Sequence, residues 1–356
     1  MLLIAAVLSV GALEALQLSA GATAIDPPAR FSELADWADH IVKNRLTQFP
    51  ALRQLAPAML LRGGAKEQDG IFITRDYLLE NITPGDPAIL EANLAGIEHF
   101  LDTRNLPAAF LLIPTAVAIK QQEVPAKAQL FNQKALISEV YDRLSGRATT
   151  VDVYPTLFAA KDQYTYYRTD SALTGLGGYY VYTSLAARLG VTPRALDQFE
   201  VEHLAHPYYG ALYERSSYKG VGPDIVTIYS FSKNDRQYKL THTAPTGIKS
   251  YYTLFPRHLE QLSGPESVIL GGFSPRMDFA IASPYEDSFL IFADETVLSY
   301  LPFLLVHYGN VTVIDLERAT PDLLAALRPE EYSQVMFAYS VDSFLHRPVS
   351  SAAGLL

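Results

Sequence analysis

Residues 288–315 read SFLIFADETVLSYLPFLLVHYGNVTVID. Ser288 to Ala293 is a short run rich in Phe, Leu and Ile, and predicts a buried strand. Thr296 to Tyr308 predicts a helix, and Val311 to Asp315 a second strand. A strand that reaches its neighbour through a helix lies parallel to it, because the helix carries the chain back to the starting edge. This stretch therefore points to an α/β fold.

The same alternation extends in both directions. Upstream, Ala88 to Arg104 places Ile89, Leu90, Leu94, Ile97 and Leu101 on one helical face, and Ala108 to Ile113 is an apolar strand stopped by Pro114-Thr115. Phe131 to Leu144 predicts a helix, Thr149 to Tyr154 a β-branched strand, and Thr174 to Leu189 a helix with early glycines at 175, 177 and 178. Downstream, Pro321 to Leu327 predicts a helix and Gln334 to Val341 the last strand. The expectation is a mostly parallel sheet covered on both faces. Ligands of such sheets sit beyond the carboxyl ends of the strands. Those ends carry Pro114-Thr115, Asp152, Asp294-Glu295 and Asp315.

Composition narrows the function. The chain has 356 residues, 49% of them hydrophobic and 19% charged, which is enough to bury a large core. With 28 Lys+Arg against 38 Asp+Glu the formal net charge is −10, and no basic run occurs. Nucleic acid is thereby excluded as the expected partner. The absence of cysteine removes disulfides, CxxC zinc sites and cysteine nucleophiles.

The organisation expected from the chain has four parts. Residues 1–24 combine an apolar stretch, Leu2 to Leu13, with small residues ending in Ala22-Thr23-Ala24, the pattern of a signal peptide or N-terminal anchor. A packed N-terminal helix is the alternative. Residues 25–80 predict a helical arm, with Trp37, Ile41, Val42 and Leu46 at helical spacing, leading into the first strands. Residues 81–345 form the α/β domain, with a Tyr-, Thr-, Pro- and Gly-rich insertion at about 191–279 lying over the sheet edge, and 346–356 a tail. The expected location is outside the cell, at the surface or free, with membrane contact only through the N-terminal segment.

Several chemistries are absent as motifs. Gly272-Phe273-Ser274-Pro275-Arg276 lacks the second glycine of G-x-S-x-G, and there is no Walker A or HExxH sequence. His203 and His206 stand three apart without a third ligand nearby, so no metal and no cofactor is expected.

One segment carries a family signature. Tyr166-Tyr167-Arg168-Thr169-Asp170-Ser171-Ala172-Leu173-Thr174, followed by Gly177-Gly178-Tyr179-Tyr180, resembles the Tyr-Tyr-Arg-Thr-Asp-His-His-Trp-Thr signature of the bacterial DHHW protein family. Asp69-Gly70-Ile71-Phe72, Leu112-Ile113-Pro114-Thr115, Thr150 to Tyr154, Leu270-Gly271-Gly272, Phe292 to Thr296 and Val311 to Asp315 resemble further family segments in the same order. That family is similar to SGNH hydrolases and to the permuted, AlgX/AlgJ-like alginate O-acetylation proteins. The resemblance implies a flavodoxin-like, three-layer core in which an Asp-x-His pair and a later Ser form a triad. In such a triad Ser attacks an ester carbonyl, His takes its proton, and Asp orients the imidazole.

Residue by residue, the resemblance assigns the acid to Asp170, the base position to Ala172 and the nucleophile position to Glu295. A methyl group accepts no proton, so no intact catalytic triad is expected. Arg168, Thr169, Ser171, Asp294, Gly271, Gly272, Phe273 and Thr115 are the expected cleft residues, with Phe273 matching an Asn of the family. Losing members of a unit that acts together removes nearly all its catalysis. The expectation is an exported, catalytically silent envelope protein whose cleft takes a cell-surface glycan or an envelope assembly protein.

Three other readings stay open. Arg168 to Asp170 could simply brace the helix that starts near Thr174, with Glu295 favoured by the following helix N-terminus. Asp170, Asp294 and Glu295 could serve a remodelled esterase or O-acetyltransferase acting on acylated surface polysaccharide, or hold a divalent cation. Ser171, Ser274 or Ser299 could act as a relocated nucleophile with His206, His242 or His307.

Overall fold

The computed structural model describes residues 67–216, 218–231, 237–282 and 285–356. The expected leader (1–24) and the helical part of the arm lie outside the described residues. Among the described residues no helix is long and apolar enough to cross a membrane.

The described chain opens with strands β1 (Glu67–Gln68), β2 (Ile71–Ile73) and β3 (Leu78–Glu80), which form a small antiparallel sheet. Asp69 and Gly70, at φ 50° and 75°, make its first turn, a left-handed pair suited to Asp-Gly. Helix α1 (Pro87–Thr103) begins where Asp86 accepts a hydrogen bond from the Ala88 N–H and Pro87 fills the first turn. There follow β4 (Ala108–Ile113), α2 (Gln133–Leu144), β5 (Thr149–Val151) and α3 (Gly175–Arg188). Strands β6 (Phe199–His203) and β7 (Thr227–Phe231) pair as a separate antiparallel ribbon. The remaining elements are β8 (Tyr238–Ala244), β9 (Gly247–Tyr251), β10 (Arg276–Ile281), β11 (Ser288–Ala293), α4 (Val297–Leu304), β12 (Asn310–Ile314), β13 (Gln334–Ser340) and α5 (Val341–His346).

The main sheet has the order β5-β4-β13-β11-β12-β10-β8-β9. Its first five strands are parallel, with Phe289 opposite Val311 where the stretch at 288–315 crosses from β11 to β12. From β4, β11 and β13 nearly every residue is buried, so both faces are covered, as the alternating pattern predicts. On one face Phe100 of α1 meets Phe292 and Phe337 edge-on, with ring centroids 5.5 and 5.4 Å apart. Helices α3 and α4 cross at Gly178. A Cβ on Gly178 would stand 1.9 Å from the Ser299 carbonyl oxygen, which explains why only glycine fits there.

The stretch at 191–279 differs from a plain covering insertion. Its strands β8 and β9 pair antiparallel and join the main sheet through β10. Among the described strands of this stretch, the β6–β7 ribbon stands apart from that sheet. Strands of this outer half are buried on one side or neither, which is why no continuous apolar run marks them in the sequence. The last residues do not trail away either. Ser350 donates from its N–H to Asn93 Oδ1 at 3.0 Å, and a Cβ on Gly96 would meet the Ser350 carbonyl oxygen at 2.5 Å.

Candidate functional site

Three of the parallel strands end around one cavity of about 680 Å³. Pro114 and Thr115 come from the end of β4, Asp294 and Glu295 from β11, and Ser340 from β13. The opposite wall is the signature segment, from which Asp170, Ser171, Ala172 and Leu173 reach the cavity. The positions of acid, base and nucleophile implied by the family resemblance thus converge on one space. Asp315 lines an adjoining cavity of about 380 Å³, which shares Phe273, Asp294, Glu295 and Arg347 with the first. Asp152, the fourth strand-end acid, lines neither. Its carboxylate accepts the Tyr154 N–H at 3.0 Å and starts the short helix Tyr154–Ala159.

The signature wall is a closed loop. Thr174 N–H donates to the Thr165 carbonyl, Tyr166 bridges Leu173, and Tyr167 N–H donates to the Ala172 carbonyl. Tyr166 ties the loop to the strand end by donating its hydroxyl to the Pro114 carbonyl at 2.6 Å. The loop is filled from outside by Asp224, only 1% exposed, which accepts from the Arg168 and Thr169 N–H groups at 2.7 and 2.9 Å and from the Tyr164 and Thr169 hydroxyls. Arg168 and Thr169 therefore serve the loop's framework and do not line either cavity. The Arg168 side chain is exposed, 5.4 Å from the Tyr164 ring centroid.

Asp170 braces the start of the short helix Ala211–Ser216 and not the helix expected. Thr174 itself caps α3, accepting from the Gly177 N–H at 3.2 Å. The Asp170 carboxylate instead accepts from the Ala172 N–H at 3.0 Å, the Ala211 N–H at 2.9 Å and the Tyr208 hydroxyl at 2.8 Å. The Tyr208 phenol thus donates to the carboxylate that a triad would offer to histidine. Burial first, and then the Asp170 charge, push the phenol's pKa up, so it stays a donor. Ala172 packs against the apolar cluster of Tyr167, Leu204, Val226, Ile228 and Val268.

On the floor, Asp294 accepts from the Thr296 N–H at 3.1 Å, the Thr296 hydroxyl and the Ser340 N–H at 2.8 Å. It clasps the ends of β11 and β13 together. Glu295, one residue on, points into both cavities. Solvent reaches its side chain, but protein atoms crowd the carboxyl, and this desolvation raises its pKa. Asp294 raises it further, while Arg347 and Arg318 pull against the rise without cancelling it. Glu266 on the far rim is also raised, chiefly by burial.

The glycine segment forms the side wall. Leu270, Gly271 and Gly272 all have positive φ, at 54°, 73° and 85°. Gly271 is turned away, its missing Cβ 2.6 Å from the Tyr251 ring, and does not line the cavity, whereas Gly272 does. Phe273 stands between the two cavities with the Arg318 guanidinium 4.8 Å from its ring centroid, and Arg318 is held by Asp315. Thr115 is locked by Gln133, which accepts its N–H at 2.9 Å and donates to its hydroxyl at 2.7 Å.

No histidine among the described residues lines either cavity. His206 pairs with Glu260 at 2.8 Å, His242 meets the Leu270 carbonyl at 2.9 Å, and His307 meets the Tyr182 hydroxyl at 2.8 Å. None of the hydroxyls of Ser171, Ser274 and Ser299 bonds an imidazole; that of Ser299 donates to the Thr296 carbonyl at 2.8 Å. His203 turns to Thr227, away from any shared ligand with His206. Among the described residues no three metal-ligating side chains come together.

The family profile described as DHHW protein matches residues 100–241. Over that segment the chain is similar to the DHHW family. Its fold agrees with that of a DHHW-family protein from Eubacterium siraeum, at a TM-score of 0.67 and 19% identity over 81% of this chain and 96% of that one. Bacillus cereus PatB1 is also similar, at 0.63 and 14% over 78% and 98%, and so is PatB1 with a sulfonyl adduct, at 0.65 and 14% over 78% and 97%. These structural likenesses are ones of fold, an α/β architecture with a mixed, mostly parallel sheet. No curated protein matches the sequence. The family's own four-letter signature reads Asp170-Ser171-Ala172-Leu173 here.

Sequence reasoning missed Tyr208, Asp224, Glu266 and Arg347. Asp224 follows Gly222-Pro223 and reads as an ordinary turn residue, and Tyr208 lies in a stretch without periodicity. Nothing local marks either one, because each acts on a segment about 40 residues or more away in the chain.

Proposed function

We propose that this chain is an exported envelope protein of the DHHW family, silent at the inherited triad, whose cavity binds a neutral glycan or an acyl group. The observation that carries the reading is the state of the three triad positions. They share one cavity, yet Asp170 is consumed by three donors, Ala172 offers a methyl group, and Glu295 replaces the hydroxyl. Tyr167, Tyr208, Phe273 and Ile113 give the cavity apolar and aromatic walls, the common make-up of a small-molecule site. Glu80, Asp170, Glu266, Asp294, Glu295 and Asp342 face it against Arg347, a balance that disfavours polyanionic ligands. Export rests on the N-terminal sequence pattern.

Two measurements test this. Calorimetric titration with neutral acetylated oligosaccharides is expected to show binding that Ala172→Trp abolishes at an unchanged melting temperature. Aryl acetate hydrolysis is expected to be the same in the parent, Asp170→Ala and Glu295→Ala. A hydrolytic rate that vanished in either variant would support the second reading, a remodelled esterase or O-acetyltransferase. The raised Glu295 carboxyl, able to hold a proton closer to neutrality than an ordinary glutamate, is the observation that favours it.

A further inference from the structure

At the rim of the cavity, sharing only Asp342 with its lining, a hydroxyl, an imidazole and a carboxylate stand in line. Thr83 Oγ1 lies 3.3 Å from His346 Nε2, and His346 Nδ1 lies 3.0 Å from both Asp342 Oδ1 and the Asp342 carbonyl oxygen. Both oxygens facing Nδ1 are acceptors, so in the neutral ring Nδ1 carries the proton and Nε2 keeps its lone pair. In that tautomer the Thr83 hydroxyl donates to Nε2. This is the arrangement in which an imidazole can take a proton from an attacking oxygen, with the acid fixing the tautomer.

The backbone holds the trio in place. Asp342 and His346 are one turn apart on α5 and so share a face. Asn93 of α1 donates to the Phe344 and Arg347 carbonyls at 3.0 and 2.8 Å, anchoring the end of α5. The segment bearing Thr83 is pressed against that end. Gly85 has φ 72°, and a Cβ there would stand 2.6 Å from the Leu345 carbonyl oxygen. Thr83 is exposed, while Ile82, Asp342 and Ser343 line the cavity, so the trio sits on its rim. None of its members belongs to the inherited triad, and the inference stands whether or not the cavity binds a glycan.

We propose that Thr83 is a nucleophile that accepts acyl groups from small activated esters, with His346 as its base and Asp342 as a positioning residue. Thr83 Oγ1 bonds to the ester carbonyl carbon as its proton passes to His346 Nε2. The bond from that carbon to the leaving alcohol oxygen then breaks, and the oxygen takes the proton from Nε2. The products are an acyl-threonine ester, the free alcohol and a neutral imidazole.

The test uses the full chain, 4-nitrophenyl acetate as the probe, an acid quench, and mass spectrometry of the peptide that contains Thr83. Acetylation of Thr83 is expected, retained in Thr83→Ser at the same position and slowed about 100-fold or more in His346→Ala. Asp342→Asn, whose amide oxygen can still accept from Nδ1, is expected to retain more of the rate than Asp342→Ala at equal melting temperature. His346→Gln serves as a second base deletion if His346→Ala folds poorly. An unmodified Thr83, or one acetylated equally fast without the imidazole, overturns the proposal. Thr83 does not line the cavity, so Thr83→Ala is expected to lose the label while oligosaccharide binding by calorimetry stays at the parent value, which separates this result from the cavity's own test.

Discussion

The floor and the signature wall of the cavity are both organised by buried aspartates, yet they are built in opposite ways. On the floor Asp294 binds Thr296, two residues away, and the end of the adjacent strand at Ser340. On the wall Asp170 binds residues 208 and 211, and Asp224 reaches back to 164, 168 and 169. The floor follows from strand order and local turn chemistry. The wall exists only because a remote segment folds over it. The first kind of contact stays within the strand ends, whereas the second engages Asp170, whose carboxylate holds a helix start and a phenol.

Substitutions can test that contrast. The largest effect is expected at Asp224→Ala, which strands the Arg168 and Thr169 N–H groups in the interior and should cost roughly 3–5 kcal/mol in chemical denaturation. If the loss were below about 1 kcal/mol, the wall would not depend on this residue. Asp294→Ala leaves the Thr296 and Ser340 N–H groups without their acceptor and is expected to cost about 2–4 kcal/mol. Its damage should stay at the strand ends, visible as faster amide exchange at Thr296 and Ser340 with the 166–173 loop unchanged. Tyr208→Phe removes one hydroxyl bonded to a carboxylate and is expected to cost about 1.5–3 kcal/mol, with hydrogen exchange rising at residues 208–211.

The smallest change is expected at Glu295→Gln, and it has the opposite sign. A carboxyl whose folded pKa is raised favours the folded state while protonated, and loses that contribution as pH rises through the folded value. At pH 7 the charged Glu295 therefore opposes folding slightly. Its neutral replacement should raise the melting temperature by no more than about 2–4 °C, since a solvent-reached carboxyl is screened to about 1 kcal/mol or less. Scanning calorimetry at pH 7 and pH 3.5 should show the gain shrinking at the acid value. A gain that grew on acidification would contradict the assigned environment of Glu295.

Much of the fold is legible in short segments. Phe289 to Ala293, Ala108 to Ile113 and Gln334 to Ser340 announce parallel strands because burial on both faces demands unbroken apolar runs. Strand ends then point to Thr115, Asp294 and Glu295 without any knowledge of the tertiary structure. Less is legible where burial is one-sided. Strands β8 and β9 alternate weakly or not at all, so their membership of the main sheet is invisible until pairing is seen. Helix α5 is hidden behind β13, because Val341 continues the strand pattern that ends at Ser340. The rim array of Thr83, Asp342 and His346 is hidden with it, since a separation of 263 residues leaves no periodic signal.

The amino-acid order by itself determined which chemical groups are present and which apolar runs form the parallel strands, because side-chain identity and short-range periodicity are enough for that; the placing of Ala172 and Glu295 at a base and a nucleophile position is what the resemblance implies. What the folded chain alone decided is who bonds to whom: Asp170 to Tyr208 and Ala211, Asp224 to the loop at 164–169, and His346 to Thr83. Those pairings depend on directions and distances between segments far apart in the chain, and a hydrogen bond is fixed by distance and direction in space.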